Sequence, residues 1–131
     1  MLPLNKKKVK DSSVEKGKEG EEEAVRFLKK LGYKIIDRNY KTKFGEIDII
    51  ALDSSTLVFI EVKKRKSLAF GKPEEAVDIK KQKKILKVAI SYLKEKKIRD
   101  KDLRFDIIGI TNDKPELIKS AFLLTKDFYT I

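Results

Sequence analysis

The chain has 131 residues, about one domain's worth. It contains no cysteine and no histidine, which excludes disulfides, thiolate or imidazole metal sites, cysteine nucleophiles and histidine-based triads. Lys and Arg outnumber Asp and Glu by 32 to 21, a net charge of +11. The expected partner is therefore a polyanion, nucleic acid ahead of an anionic membrane surface, with a lysine-rich solvated surface as the competing reading.

Residues 1–11 read as a short basic arm, with lysines but no apolar stretch behind them, so not a secretory signal. No run approaches the ~18 apolar residues of a membrane span, and the expected location is cytoplasmic, away from the membrane. Residues 12–131 read as one domain. A first helix is expected from Ser12 or Ser13, where Ser12 and Glu15 fit a capping box, to Leu31, stopped by Gly32. Its apolar face is Ala24, Val25, Phe27, Leu28 and Leu31. Helical spacing turns Glu21 toward that face, and Glu22 and Glu23 toward water.

Three strands follow over 33–40, 46–52 and 57–64. Pro73 opens a helical region, and a long helix over 78–94 turns Ile85, Leu86, Ala89 and Leu93 inward. A closing hairpin joins 104–110 to 116–119 around the turn at 111–115; the tail after 121 is ambiguous. The order is that of an α/β (α+β) domain, a mixed sheet of about five strands flanked by helices.

The informative segment is the second and third strands. Side chains alternate between faces, so Glu46, Asp48, Ile50 and Leu52 share one face, and Leu57, Phe59, Glu61 and Lys63 share one on the partner. Ile47, Ile49, Ala51, Val58, Ile60 and Val62 take the other. A two-residue loop at Ser54-Ser55 sets Asp48 opposite Glu61 and Glu46 opposite Lys63. Opposed residues place their Cβ atoms roughly 4.5–5.5 Å apart, where like charges destabilise a sheet. Both faces are apolar, so the acids stand at the end of a buried surface and need a proton, a lysine or a cation between them. A hard divalent cation, Mg²⁺ or Mn²⁺, answers that need best.

Asp48, twelve intervening residues and then Glu61-Val62-Lys63 resemble the PD-(D/E)XK nuclease core. With Gly17-Lys18-Glu19-Gly20-Glu21-Glu22-Glu23-Ala24, Arg38-Asn39-Tyr40, Gly45-Glu46-Ile47-Asp48, Lys81-Gln82 and Arg104-Phe105-Asp106, the chain resembles the YraN-like family of small bacterial proteins over about residues 13–122. That family is considered similar in fold to archaeal Holliday-junction resolvases. The resemblance implies a restriction-endonuclease-like core and a metal-dependent endonuclease acting on DNA, including branched or structured DNA. A non-catalytic nucleic-acid-binding module with a nuclease-like fold is the alternative. It implies that Asp48, Glu61 and the Val62 carbonyl hold the metal. Lys63 would orient or deprotonate the attacking water or stabilise charge on the phosphate, Glu21 would serve as an outer ligand or position water, and Gln82 would touch the site. Ile47 stands where the superfamily's name has Pro. Glu46 is either a member of this set or a salt-bridge partner of Lys63 or Arg65. A symmetric homodimer follows by analogy with the resolvases, because junction cleavage needs two cuts.

Basic residues flank the acids: Arg38, Lys41 and Lys43 before them, Lys64, Arg65 and Lys66 after. The stretch 80–101, which includes Lys81, holds ten basic and two acidic residues. Pairing with phosphates would make such a surface a salt-dependent, sequence-indifferent DNA binder; a solvated helix face is the simpler account of any single lysine. Phe70 beside Gly71 is either a base-stacking residue or a core plug. Asp106 is expected in a structural salt bridge.

Overall fold

A computed structural model describes residues 12–65 and 77–121, with side chains from residue 19 onward. The side chains of the expected capping box, and the helical region at Pro73, Phe70, Lys66, the basic arm and nearly all of the tail, lie outside what the structure describes.

The first helix, α1 (Ser12–Lys30), buries Ala24, Val25 and Leu28. Gly32, at φ +92°, ends it, and the Tyr33 N–H returns to the Leu28 carbonyl at 2.9 Å. The left-handed turn satisfies a terminal carbonyl that the helix cannot. It also swings Leu31 outward, to 50% exposed, so Leu31 does not join the apolar face as expected.

Four strands and a second helix complete the sheet's core order: β1 (Lys34–Thr42), β2 (Gly45–Asp53), β3 (Thr56–Arg65), α2 (Ile79–Glu95) and β4 (Leu103–Thr111), with β5 (Lys114–Ile118) at the edge. Spatial order equals chain order. Among the described residues only β3 and β4 pair in parallel, and α2 lies in the crossover between them. The described residues therefore form a five-stranded mixed sheet with α1 on one face and α2 on the other, an α+β architecture. Among the described residues no helix is long and apolar enough to cross a membrane.

The two faces carry separate cores. Ala24, Val25, Leu28, Tyr33, Ile49, Ala51, Val58, Ile60, Ile108 and Ile110 pack on the α1 side. Ile50, Leu57, Phe59, Phe105 and Ile107 pack on the α2 side with Ile85, Leu86, Val88, Ala89 and Tyr92. Val88 and Tyr92 extend the expected inner face of α2, while Leu93 is only half-buried. Tyr92 is held by edge-on contacts with Tyr40 and Phe59. Asp78 caps α2, its carboxylate accepting the Lys81 N–H at 2.8 Å.

The closing hairpin is tighter than expected. Asn112 and Asp113, at φ +51° and +61°, form a two-residue turn, so Lys114 and Pro115 belong to β5. Adjacent positive φ values at Asn-Asp match the twist of the flanking strands, and an edge strand tolerates Pro115 because its nitrogen need not donate. Asp106 is in a structural ion pair as expected. It is buried, Arg104 Nη2 approaches it at 2.9 Å, and it accepts the Ser120 N–H at 2.9 Å. Arg104 also reaches Asp53 at 2.9 Å, tying β4 to the β2–β3 turn.

Candidate active site

The Ser54-Ser55 turn holds β2 and β3 in the expected register, from Asp53↔Thr56 to Ile49↔Ile60. There the ladder stops. Asp48 and Glu61 do not pair as ladder residues, nor do Glu46 and Lys63; Lys63 instead lies beside Gly109 of β4. Beyond the last pair, the Val62 N–H donates to the Asp48 Oδ2 at 2.8 Å. A carboxylate has taken the acceptor's role that a β2 carbonyl would have filled, so the sheet forks with Asp48 in the crotch.

The cause lies in both strands. Asn39 of β1, opposite Asp48, has φ +52°. The β1–β2 ladder pairs Arg38↔Ile49 and Tyr40↔Ile47, skipping the step between. Arg38 faces α1, where Glu22 meets it at 2.8 Å, whereas Tyr40 faces α2 and Tyr92. Ile49 packs with α1, but Ile47 packs with α2, contrary to the strict alternation expected for it. The tip of the β1–β2 hairpin thus turns over toward α2, and β3 continues straight.

Acids enter the fork from both faces. Glu61, 6% exposed, comes from the α2 side. Burial first, then the Asp48 charge, push its carboxyl up to about 8, against the opposing pull of Lys81 and Lys63. Asp48 is also raised, by burial, with the Val62 hydrogen bond opposing. Glu21 arrives on α1 as expected. Burial and the Asp48 charge raise it, while Arg38 and hydrogen bonding to the Asn39 side chain lower it. At Gly20 α1 packs closely on β3, where an added Cβ would meet the Lys64 Cβ at 3.4 Å, an ordinary van der Waals contact. The Oε1 atoms of Glu21 and Glu61 are buried without a hydrogen-bond partner among the described residues.

Two lysines balance these charges on the α2 side. Lys81 Nζ lies 4.0 Å from Glu61 Oε2. Lys63 lies beside Lys81 and is lowered, chiefly by burial and next by that neighbour, although Glu61 and Asp48 act to raise it. Gln82 sends its amide to the Val77 carbonyl at 3.0 Å, so Lys81 rather than Gln82 is the α2 residue against an acid. Glu46 pairs with Lys41 at 3.8 Å, not with Lys63 or Arg65.

The expected phosphate-binding residues divide. Arg38 is tied to Glu22. Lys64 is held by Glu23 at 2.8 Å, with Glu19 and Asp113 near, so Glu23 is half-buried and not turned to water. Arg65 is half-buried at the end of β3. Lys41 and Lys43 are exposed on the hairpin tip, and Lys80, Lys83, Lys84 and Lys87 are exposed on α2, with Lys87 reaching Phe44 of the tip. Lys80 and Lys81 in the first turn oppose the helix dipole, and the lysines three and four apart repel one another, so helix stability does not explain them. Asn39 was missed by sequence reasoning. An Asn inside a strand pattern was the available signal, because Asn tolerates left-handed φ.

Among the described residues no group of three or more acidic side chains converges as a metal-holding cluster. A cation would rest on Asp48 and Glu61 with main-chain oxygen and water. Buried Glu61, with an orphaned oxygen, and half-buried Asp48 repel each other and fit a hard cation with that donor set.

The family profile described as Uncharacterised protein family UPF0102 matches residues 20–110, which take in every acid and lysine of the fork. A UPF0102 protein of Persephonella marina is 50% identical over 107 residues, covering 82% of this chain and 92% of the relative. One from Thermodesulfovibrio yellowstonii is 49% identical over 109 residues, covering 83% and 96%. A third, from Geotalea daltonii, is 50% identical over 111 residues, covering 81% and 87%. With its fold, its fork and this likeness running over the same residues, the chain belongs to the UPF0102 family.

Proposed function

We propose that the protein is a Mg²⁺- or Mn²⁺-dependent endonuclease that hydrolyses DNA phosphodiesters at the fork between β2 and β3. One observation carries this reading: Asp48, bound to the Val62 N–H, stands beside buried Glu61 with Lys63 and Lys81 against the pair. The architecture fits a restriction-endonuclease-like core.

Asp48, Glu61 and the Val62 carbonyl are the residues that would hold the cation. When bound, it supplies charge neutralisation at the scissile phosphate and a more acidic water. The chain's own part is positional and electrostatic. The Val62 N–H fixes the Asp48 carboxylate, and packing of β3 between β2 and β4 fixes Glu61. Lys63, lowered by burial, serves either to take a proton from the attacking water or to sit against the phosphate oxygens. Lys81 keeps Glu61 from standing as an uncompensated charge. Glu21 orients water from the α1 side, and the lysines of α2 and the hairpin tip receive the DNA backbone.

The test is a cleavage panel of single-stranded, duplex, flap and four-way DNA with Mg²⁺ or Mn²⁺. Wild-type protein should cut at least one substrate, and Asp48→Asn and Lys63→Ala should not, with binding retained. Cutting that persists in both variants would refute the assignment; binding without cutting by wild type would assign the non-catalytic alternative.

A further inference from the structure

Phe44 sits at the tip of the β1–β2 hairpin, 37% exposed, and belongs to neither hydrophobic core. Two ammonium groups lie over its ring, Lys43 Nζ at 5.3 Å and Lys87 Nζ of α2 at 5.5 Å from the centroid. Among the described residues neither lysine has a carboxylate partner, whereas Lys41 beside them does. The turn is held in shape. Phe44 N–H donates to Thr42 Oγ1 at 3.0 Å, and Gly45 takes φ +147°, a left-handed-side backbone that side-chain-bearing residues rarely adopt.

A partly exposed aromatic ring with two mobile-chain ammonium groups over it, neither paired with a carboxylate among the described residues, matches one ligand chemistry closely. An unpaired base offers a π-face to the ring, and its flanking phosphates offer charge to the ammonium groups. A base inside a duplex cannot present that face. At about 3.3 Å per strand residue, Phe44 is at most roughly 13 Å along β2 from Asp48, a span of a few nucleotides. Resting on the nuclease reading above, we infer that Phe44, with Lys43 and Lys87, is a stacking platform that selects DNA with unpaired bases near the fork.

Binding of labelled oligonucleotides, followed by fluorescence anisotropy in EDTA, tests this without any cleavage. The probes are a single strand, a blunt duplex and a flap of equal length. Phe44→Ala should weaken single-strand and flap binding by about five- to a hundredfold, while duplex binding changes less than twofold. Phe44→Trp should restore the single-strand affinity, which a merely structural turn residue would not do. Equal weakening on all three probes, or no weakening on the single strand, would overturn the inference. A wild-type protein that binds single strands through Phe44 but never cuts would leave the platform standing and remove the nuclease reading. A wild-type protein that binds none of the probes would remove both.

Discussion

Asn39 and Asp48 stand opposite each other in β1 and β2, at the single step where both strands exchange faces. Arg38 and Ile49 face α1, and Tyr40 and Ile47 face α2. The left-handed φ of Asn39 makes this turnover cheap. Replacing Asn39 with Val should destabilise the protein by roughly 1–3 kcal/mol, the usual range for a strained left-handed residue. Asn39→Gly should remain near wild type in thermal melts. If Val is tolerated as well as Gly, the left-handed step does not shape the fork.

Asp48→Asn keeps an oxygen for the Val62 N–H but removes the charge facing Glu61. Without divalent cations its melting temperature should equal or exceed that of wild type, while DNA cleavage is lost. A large drop in melting temperature would instead identify Asp48 as a purely structural hub.

The carboxyl of Glu61 titrates near 8 in the folded chain, against 4.5 unfolded, because burial and Asp48 disfavour its charge. The folded state therefore holds this proton more tightly. Stability from it is complete below about pH 4.5 and is lost as the pH rises through 8. In EDTA, denaturant unfolding should show wild type losing on the order of 2–4 kcal/mol across that window relative to Glu61→Gln. Parallel pH profiles for the two proteins would contradict this.

The same repulsion makes a divalent cation a stabilising ligand. Above neutral pH, Mg²⁺ or Mn²⁺ at a hundredfold excess over its dissociation constant should stabilise wild type by about 2.7 kcal/mol. The Asp48→Asn/Glu61→Gln double variant should show no such rise. An equal rise in both would locate the cation elsewhere.

Arg104 holds buried Asp106 and the Asp53 carboxylate, which it keeps below the usual carboxylate range. Arg104→Ala should cost about 3–5 kcal/mol in chemical denaturation, because it strands a buried charge. Its melting temperature should still rise on adding Mg²⁺, since the Asp48–Glu61 pair is untouched. Loss of that response would show the two ends of the sheet to be linked.

Local pattern in the sequence determined the element order, the Ser54-Ser55 turn, the β2–β3 register as far as Ile49↔Ile60, the inward Glu21 and the presence of acids from β2 and β3 in one place. These follow from periods of two and 3.6 residues and from turn chemistry, which act over a few neighbours. Tertiary packing alone decided that the ladder opens at Asp48, that Ile47 changes face, that Lys81 rather than Gln82 meets Glu61, and that Lys64 is taken up by Glu23. The first two depend on how β1 and β2 turn over at the Asn39–Asp48 step while β3 continues. The last two depend on where a helix distant in the chain comes to rest on the sheet. Alternation within a strand carries no record of that position.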